Sequence, residues 1–406
     1  MRVAAGIGVV LLSYGLTLQG CAGGLAPRRH ETPETTLPAP GARQQGEKGT
    51  VPESRRAMPE LPVEQTVSAT SYQGFGTPTL GGKGGRIVTV TTLNDSGPGS
   101  LRDAVKQSNR TVVFAVSGRI VLANAIKVKG AFLTVDGFSA PPPGITLVNG
   151  GLYISGKKGG HDLIIRGLRI RDPRPDGITI RDGASNIVID HVSIQGAYDG
   201  SLDITRGAFD VTVQWSILAQ NVPTHNLLSL IEYQARRITF HHNLFMQGQS
   251  RQPQSGWEAA VFTPPPEVVT DIRNNLIWDF GAYGTVIKNN TRANVVQNFY
   301  YSSTQPGARH ALNVRSGQVY AQGNYSRNGA DVDSQGNQPH PFPAAPVETT
   351  DACTAAQQVR NTAGARPLDA LDEYYLALIR LPSAPCPGSA TIDAAPSGGK
   401  PQRRVR

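Results

Sequence analysis

Three carboxylates stand out by type and spacing. Asp176 sits in Pro-Asp-Gly-Ile-Thr-Ile, and Asp199 and Asp203 lie four residues apart in Tyr-Asp-Gly-Ser-Leu-Asp-Ile-Thr. Gathered in space, hard oxygen donors of this kind suit a divalent cation of the calcium type. Two carboxylates alone can instead serve as the acid and base of a glycoside hydrolase. Each can also simply cap a turn, which is the reading for Asp182 in Arg-Asp-Gly-Ala. His191, His241 and His242 fall in strand-like segments and read as rings pointing into the fold or stacked on it, not as catalysts. No Cys/His spacing resembles a zinc site.

The elements that must position these groups recur along the chain. A few alternating apolar residues, a polar pair and a turn repeat in Leu163-Ile-Ile-Arg-Gly-Leu, Ile187-Val-Ile-Asp-His-Val, Ile238-Thr-Phe-His-His-Asn and several further segments. Equivalent positions are Leu168, Val192, Ser216, Asn243, Asn275, Asn298 and Asn324, a period of 23–32 residues. A period this short, without helices, predicts a solenoid of β-strands and is too short for the blades of a propeller. Asn at one site in four successive units predicts a ladder of stacked side chains, as a right-handed parallel β-helix allows. The units around 168 and 192 are one coil apart, so Asp176 and Asp199 can fall side by side.

Composition agrees with an all-β chain. Gly (45) and Pro (30) are about 18% of 406 residues, with 17% charged and 6% aromatic. That is richer in turn formers than the usual share of roughly 12% but below the disordered range. Ser100 with Asp103 three residues on predicts a short N-terminal capping helix in a capping box, and Leu368–Leu381 a C-terminal helical segment. The net charge is +9, of which +7 falls in residues 67–345. A basic folded domain suits a polyanionic partner, although charge also serves solubility.

The ends read differently. Arg2 and the apolar run Val3–Leu18 have the shape of a secretory signal, and Leu18-Gln19-Gly20-Cys21 is similar to a bacterial lipobox. Residues 1–21 are thus read as signal and lipobox, with export and a lipid anchor at Cys21 as the expectation. Residues 22–66, rich in proline and scattered charge, read as a disordered tether. Residues 67–345 form the β-helix domain, 346–386 an extension packing on it and 387–406 a basic tail. In an exported chain Cys353 and Cys386 are expected to pair.

The segment Gly74-Phe-Gly followed by Gly81-Gly-Lys-Gly-Gly-Arg-Ile-Val-Thr-Val-Thr-Thr-Leu-Asn-Asp-Ser-Gly-Pro-Gly-Ser-Leu-Arg102 resembles the N-terminus of bacterial pectate lyases of the first polysaccharide-lyase family. The likeness continues through Val113–Ile120, Asp136-Gly-Phe138, Ile189-Asp-His191 and Phe240-His-His-Asn-Leu244, covering about 72–330. It implies a right-handed parallel β-helix, cleavage of polygalacturonate by β-elimination, and Ca2+ held by Asp176, Asp199 and Asp203. It implies Arg251, in Arg-Gln-Pro, as the base that takes the C5 proton. His225 and Arg206 are the candidate substrate-binding residues. Two departures touch the clamp on the substrate carboxylate: Gly256 stands where many members have a second Arg, and Thr224–Ile231 carries no Lys. The partner implied is an acidic polysaccharide, not nucleic acid, met by a monomer whose membrane contact is the anchor alone. The alternatives are a non-catalytic β-helix binding acidic cell-surface glycans, or a lyase or hydrolase for another polysaccharide.

Overall fold

The computed structural model describes residues 72–257 and 267–387. The signal and lipobox with Cys21, the tether, the start of the domain before Tyr72 and all of the basic tail beyond Pro387 lie outside them. Strands of two to six residues wind into three parallel sheets of ten, eight and nine strands, so the all-β parallel helix expected from the repeat is what the chain forms. Each coil places one strand in each sheet. Neighbouring strands of a sheet come from successive coils, with register fixed by aliphatic columns. Leu163, Ile187, Val211 and Ile238 are direct neighbours across the ten-stranded sheet, and all are fully buried. A one-residue slip would turn such a column to solvent, which pins the pairing.

The recurring polar position is a bend between two sheets. His191, Trp215, His242, Asn274 and Gln297 each precede a ladder residue, and each has φ between 48° and 54°. A left-handed residue turns the chain where a β-branched side chain could not follow. The ladder then forms as expected. The backbone N–H groups of Ser216, Asn243, Asn275 and Asn298 donate to the side-chain Oδ1 of the Asn one coil on, at 2.9–3.0 Å. The Nδ2 groups of Asn243, Asn275 and Asn298 also donate to the next Oδ1, each at 3.0 Å. At the end, Asn324 Nδ2 donates to Asp333 Oδ1 at 2.7 Å. There the edge strand Gln318–Gln322 is covered by Asn337, whose Oδ1 and N–H engage the Val319 backbone at 2.8 and 2.9 Å.

Rings on the residues before the ladder stack on one another. His191 lies 6.2 Å from Trp215, and Trp215 4.3 Å from His242, near parallel. Burial holds the His242 imidazole down at about 4, so it stays neutral near pH 7. The three histidines are structural, as read from their segments.

Both ends of the chain adjust the expected helices. Ser100 caps a helix of only four residues, Leu101–Ala104, and accepts from the Asp103 N–H at 3.2 Å. The capping box is half formed: the Ser100 N–H donates to Gly97 O, and Asp103 turns to Lys106 at 2.9 Å. The helical segment expected at Leu368–Leu381 is the helix Ala370–Leu378, and a second helix not expected from the sequence, Ala352–Thr362, precedes it; Asp369 and Asp351 cap them. They bury an apolar face against the nine-stranded sheet, meeting Leu244, Leu276, Trp278 and Phe299. Cys353 and Cys386 are joined in a disulfide. Arg171, buried on that sheet, pairs with Asp369 and Asp372, each at 2.9 Å.

Candidate functional site

Four consecutive coils enter the eight-stranded sheet through loops, and each loop presents one candidate residue. Asp176 precedes the strand Ile178–Arg181, Asp199 the strand Leu202–Ile204, His225 the strand Leu230–Ile231 and Arg251 the strand Gln254–Gly256. Residues separated by 23 to 26 positions in the chain thus line up along one edge of the sheet, about 4.8 Å apart per strand. Asp203 lies within its strand, directly beside Thr179 and on the Asp176 side of the sheet.

The carboxylates surround Gly200. Its N–H donates to Asp176 Oδ1 at 3.1 Å, while a Cβ on it would come within 2.4 Å of Asp203 Oδ1. Only glycine lets the Asp203 carboxylate fold back under this loop. Thr179 Oγ1 donates to Asp176 Oδ2 at 2.6 Å, and the Leu230 N–H to Asp203 Oδ1 at 3.0 Å. Asp199 is half exposed and has His225 Nε2 at 3.0 Å from its Oδ1, off-axis for a hydrogen bond.

Electrostatically this is a crowded set. Burial, then the charge of Asp176 and more weakly that of Asp199, pushes the Asp203 carboxyl up to about 8, against the pull of Arg251. Burial first, and the Asp199 charge after the opposing hydrogen bonds, raises Asp176 too. Carboxylates that raise one another are short of positive charge, and a cation supplies it. The donors are all hard oxygens and in that respect fit Ca2+. They are not drawn fully together, since among the described residues the sole acid, histidine or cysteine trio with donor atoms all within 4.8 Å is Asp351, Cys353 and Cys386. That trio is a helix cap beside the disulfide.

Arg251 is held by its backbone and left free at its tip. It adopts φ 62°, and its carbonyl accepts from the Ser229 N–H at 2.8 Å. The buried Gln252 side chain braces the loop by donating to Gly248 O at 3.0 Å and Tyr283 O at 3.2 Å. Among the described residues no hydrogen bond or ion pair engages the Arg251 guanidinium. Arg206 is not brought to this group. It sits in the turn that leaves Leu202–Ile204, at the opposite edge of the sheet from Asp199, exposed and with φ 51°.

Two arrangements escape a reading of the sequence. Asn221 is buried and ties the Asp199 loop together. Its Oδ1 accepts from the Ala197 N–H at 3.1 Å and Ser201 Oγ at 2.8 Å, and its Nδ2 donates to Asp199 O at 3.2 Å and Leu227 O at 2.9 Å. The second concerns Gly256. Lys288 of the next coil lies across it, with Cγ and Cε 2.9 Å from where a Cβ would be, and its Nζ meets Glu232 Oε1 at 2.7 Å. The space over Gly256 is therefore filled by the stem of a lysine from the next coil, whose ammonium is paired with Glu232. Asn221→Ala leaves several buried polar groups without partners, a loss of about 1–3 kcal/mol. Its expected result is a lower thermal midpoint and a weaker response of that midpoint to added calcium, read by calorimetry.

No protein-family model matches the chain. Its sequence is similar to a curated protein described as probable pectate lyase C from Aspergillus terreus, 33% identical over 283 residues, 68% of this chain and 63% of that protein. A counterpart from Emericella nidulans is 34% identical over 235 residues, 57% of this chain and 52% of that one. The chain thus spans between half and two thirds of the length of these relatives. Among solved structures, the major cedar pollen allergen jun a 1 superposes with a TM-score of 0.59 at 20% identity, over 72% of this chain and 92% of that one. A pectate lyase of Bacillus sp. N165 in complex with trigalacturonate superposes with a TM-score of 0.55 at 18% identity, over 72% and 98%. At these identities the structural likeness speaks for the fold alone.

Proposed function

We propose that this chain is a member of the pectate lyase superfamily, similar as it is to the probable pectate lyases C, and that it is a calcium-dependent lyase that cleaves polygalacturonate by β-elimination. The observation that carries the reading is the alignment of Asp176, Asp199 and Asp203 with an uncommitted Arg251 along one edge of one sheet. An exported enzyme, lipid-anchored through Cys21, fits the same reading, because the polymer lies outside the cell.

In the reaction the C5–H bond of a uronate breaks, a C4–C5 double bond forms, and the C4–O glycosidic bond releases the leaving sugar with its electron pair. Asp176, Asp199 and Asp203 would hold calcium. Bound there, it supplies a Lewis acid that neutralises the substrate carboxylate and so acidifies the adjacent C5 proton. Arg251, as the neutral guanidine, takes that proton at a side-chain nitrogen and becomes the guanidinium. The neutral form is scarce in water, so positioning matters: the braced Ser250–Pro253 backbone fixes the side chain's root while the tip stays free for the uronate. His225, beside Asp199, and Lys288, over Gly256, offer polar contacts to substrate carboxylates. Arg206 is retained only as a contact for a chain that crosses the whole sheet.

Polygalacturonate incubated with the protein is expected to gain the absorbance of an unsaturated uronate, to lose that gain in excess chelator and to regain it on adding calcium. Reducing ends without the absorbance would identify a hydrolase. Retention of the polymer without any cleavage would identify a binding protein.

A further inference from the structure

We infer that the first coils of the eight-stranded sheet carry a cationic track that grips an acidic glycan well away from the site of cleavage. The inference rests on the lyase reading for its substrate, and adds to it a requirement for long, carboxylate-rich chains.

The track begins where the carboxylates end. Lys127, Tyr153, Thr179 and Asp203 are direct neighbours across four successive strands, so Lys127 stands about three strand spacings, roughly 14 Å, from Asp203. Two clefts flank this row and share Lys127, Lys129 and Tyr153. One, of about 510 Å³, is also lined by Arg102, Lys106 and Arg174, and it reaches Pro175, next to Asp176. The other, of about 670 Å³, adds Lys157 and Lys158. One carboxylate lines them, Asp182, and it is engaged by Arg181 at 3.2 Å and Ser155 at 3.0 Å.

The cations differ in how far they are committed. Arg102 is paired with Asp95 and Lys106 with Asp103. Among the described residues Lys127, Lys129, Lys157 and Lys158 have no carboxylate partner. Arg174 lies over the half-exposed Tyr198 ring at 3.9 Å, beside Asp199. Gathering four unpaired lysines in adjoining clefts raises the energy of the free protein, and a polyanion relieves it. The lysines come from two successive coils, Lys127 and Lys129 at the strand Ile126–Val128 and Lys157 and Lys158 in the turn after Leu152–Ser155, so they form a patch beside the row that several carboxylates of one polymer can meet together. Tyr153, set within the row, presents an aromatic surface on which a pyranose can lie. A bilayer presents its phosphates on a plane and is poorly matched to clefts of this depth.

The test is the fourfold variant K127A/K129A/K157A/K158A, none of whose positions touches the carboxylates or Arg251. Exposed charge contacts are individually weak, but four together are expected to raise KM for polygalacturonate at least about tenfold. Turnover at saturation, and both constants on trigalacturonate, stay unchanged. The difference from wild type shrinks at high salt because such contacts are screened. An equal rise in KM on trigalacturonate, or none on the polymer, overturns the inference. Retention on immobilised polygalacturonate in excess chelator separates this from the lyase reading. If neither protein cleaves with calcium present, but wild type alone is retained in chelator, the track stands and the lyase does not. Equal retention of the two overturns the track, as does tighter binding of wild type to phosphatidylglycerol vesicles than to the polymer.

Discussion

Arg251→Lys is expected to lower turnover on polygalacturonate at least about a hundredfold, because general-base help is typically worth 10²–10⁴. Lysine keeps the positive charge, so attraction for the polymer persists and KM changes little. What is lost is the planar fork, which can lie along a uronate carboxylate and still direct a nitrogen at C5. The loop itself has no reason to move: Ser229 donates to the backbone carbonyl of residue 251, and Gln252 provides the bracing. Steady-state kinetics by absorbance, with circular dichroism to confirm the fold, checks this. Turnover near wild type would place the base elsewhere, with His225 as the nearest candidate.

Asp203→Asn is expected to abolish calcium-dependent cleavage and at the same time to stabilise the metal-free protein at alkaline pH. The sign follows from the direction of the shift. The folded-state carboxyl is pushed up to about 8, above its ordinary value of about 3.9. Between these limits the folded protein binds the proton more tightly than the unfolded chain, so stability falls as pH rises through that window. Asparagine does not ionise and is spared that loss. The metal-free variant is therefore expected to exceed metal-free wild type by at least about 1 kcal/mol at pH 8.5, a gap that closes toward pH 4. Calcium should raise the wild-type melting temperature and leave that of the variant unmoved. Thermal melts across pH, with and without calcium, decide it. A variant less stable than wild type at pH 8.5 would show that the carboxylate is already compensated by the protein.

Much of this was legible in the chain because a solenoid writes its contacts at a nearly constant spacing. The ladder positions from Ser216 to Asn324 could be aligned by eye, and each bonds to the next. Asp176 and Asp199 share a loop position for the same reason. Errors arose where spacing stopped being informative. Arg206 lies three residues from Asp203, close in sequence, yet a strand carries it to the far edge of the sheet. Asn221 acts on the neighbouring coil and Lys288 reaches across an intervening coil, and no local pattern announces either partner; Lys288 is 56 positions from Glu232. The helix Ala352–Thr362 turns a face of small residues, Ala352, Cys353, Ala355, Ala356 and Val359, onto the sheet it covers. Asp351 followed by Ala-Cys-Thr-Ala-Ala was the available sign, an N-cap ahead of strong helix formers.

A stack of identical coils is also a polymer template, because its terminal strand offers unpaired backbone to any copy that arrives. The Asn ladder is a directional chain in which every member both accepts from one neighbour and donates to the next. Asp333 accepts from Asn324, but an ionised carboxylate has no hydrogen to hand onward. Substituting an acid for an amide at that point is a terminator, and Asn337 closes the adjoining strand. Fibril growth from this end is thereby denied a seed. Asp333→Asn together with Asn337→Gly would reopen both the ladder and the edge, turning a finite coil into one with a growing tip.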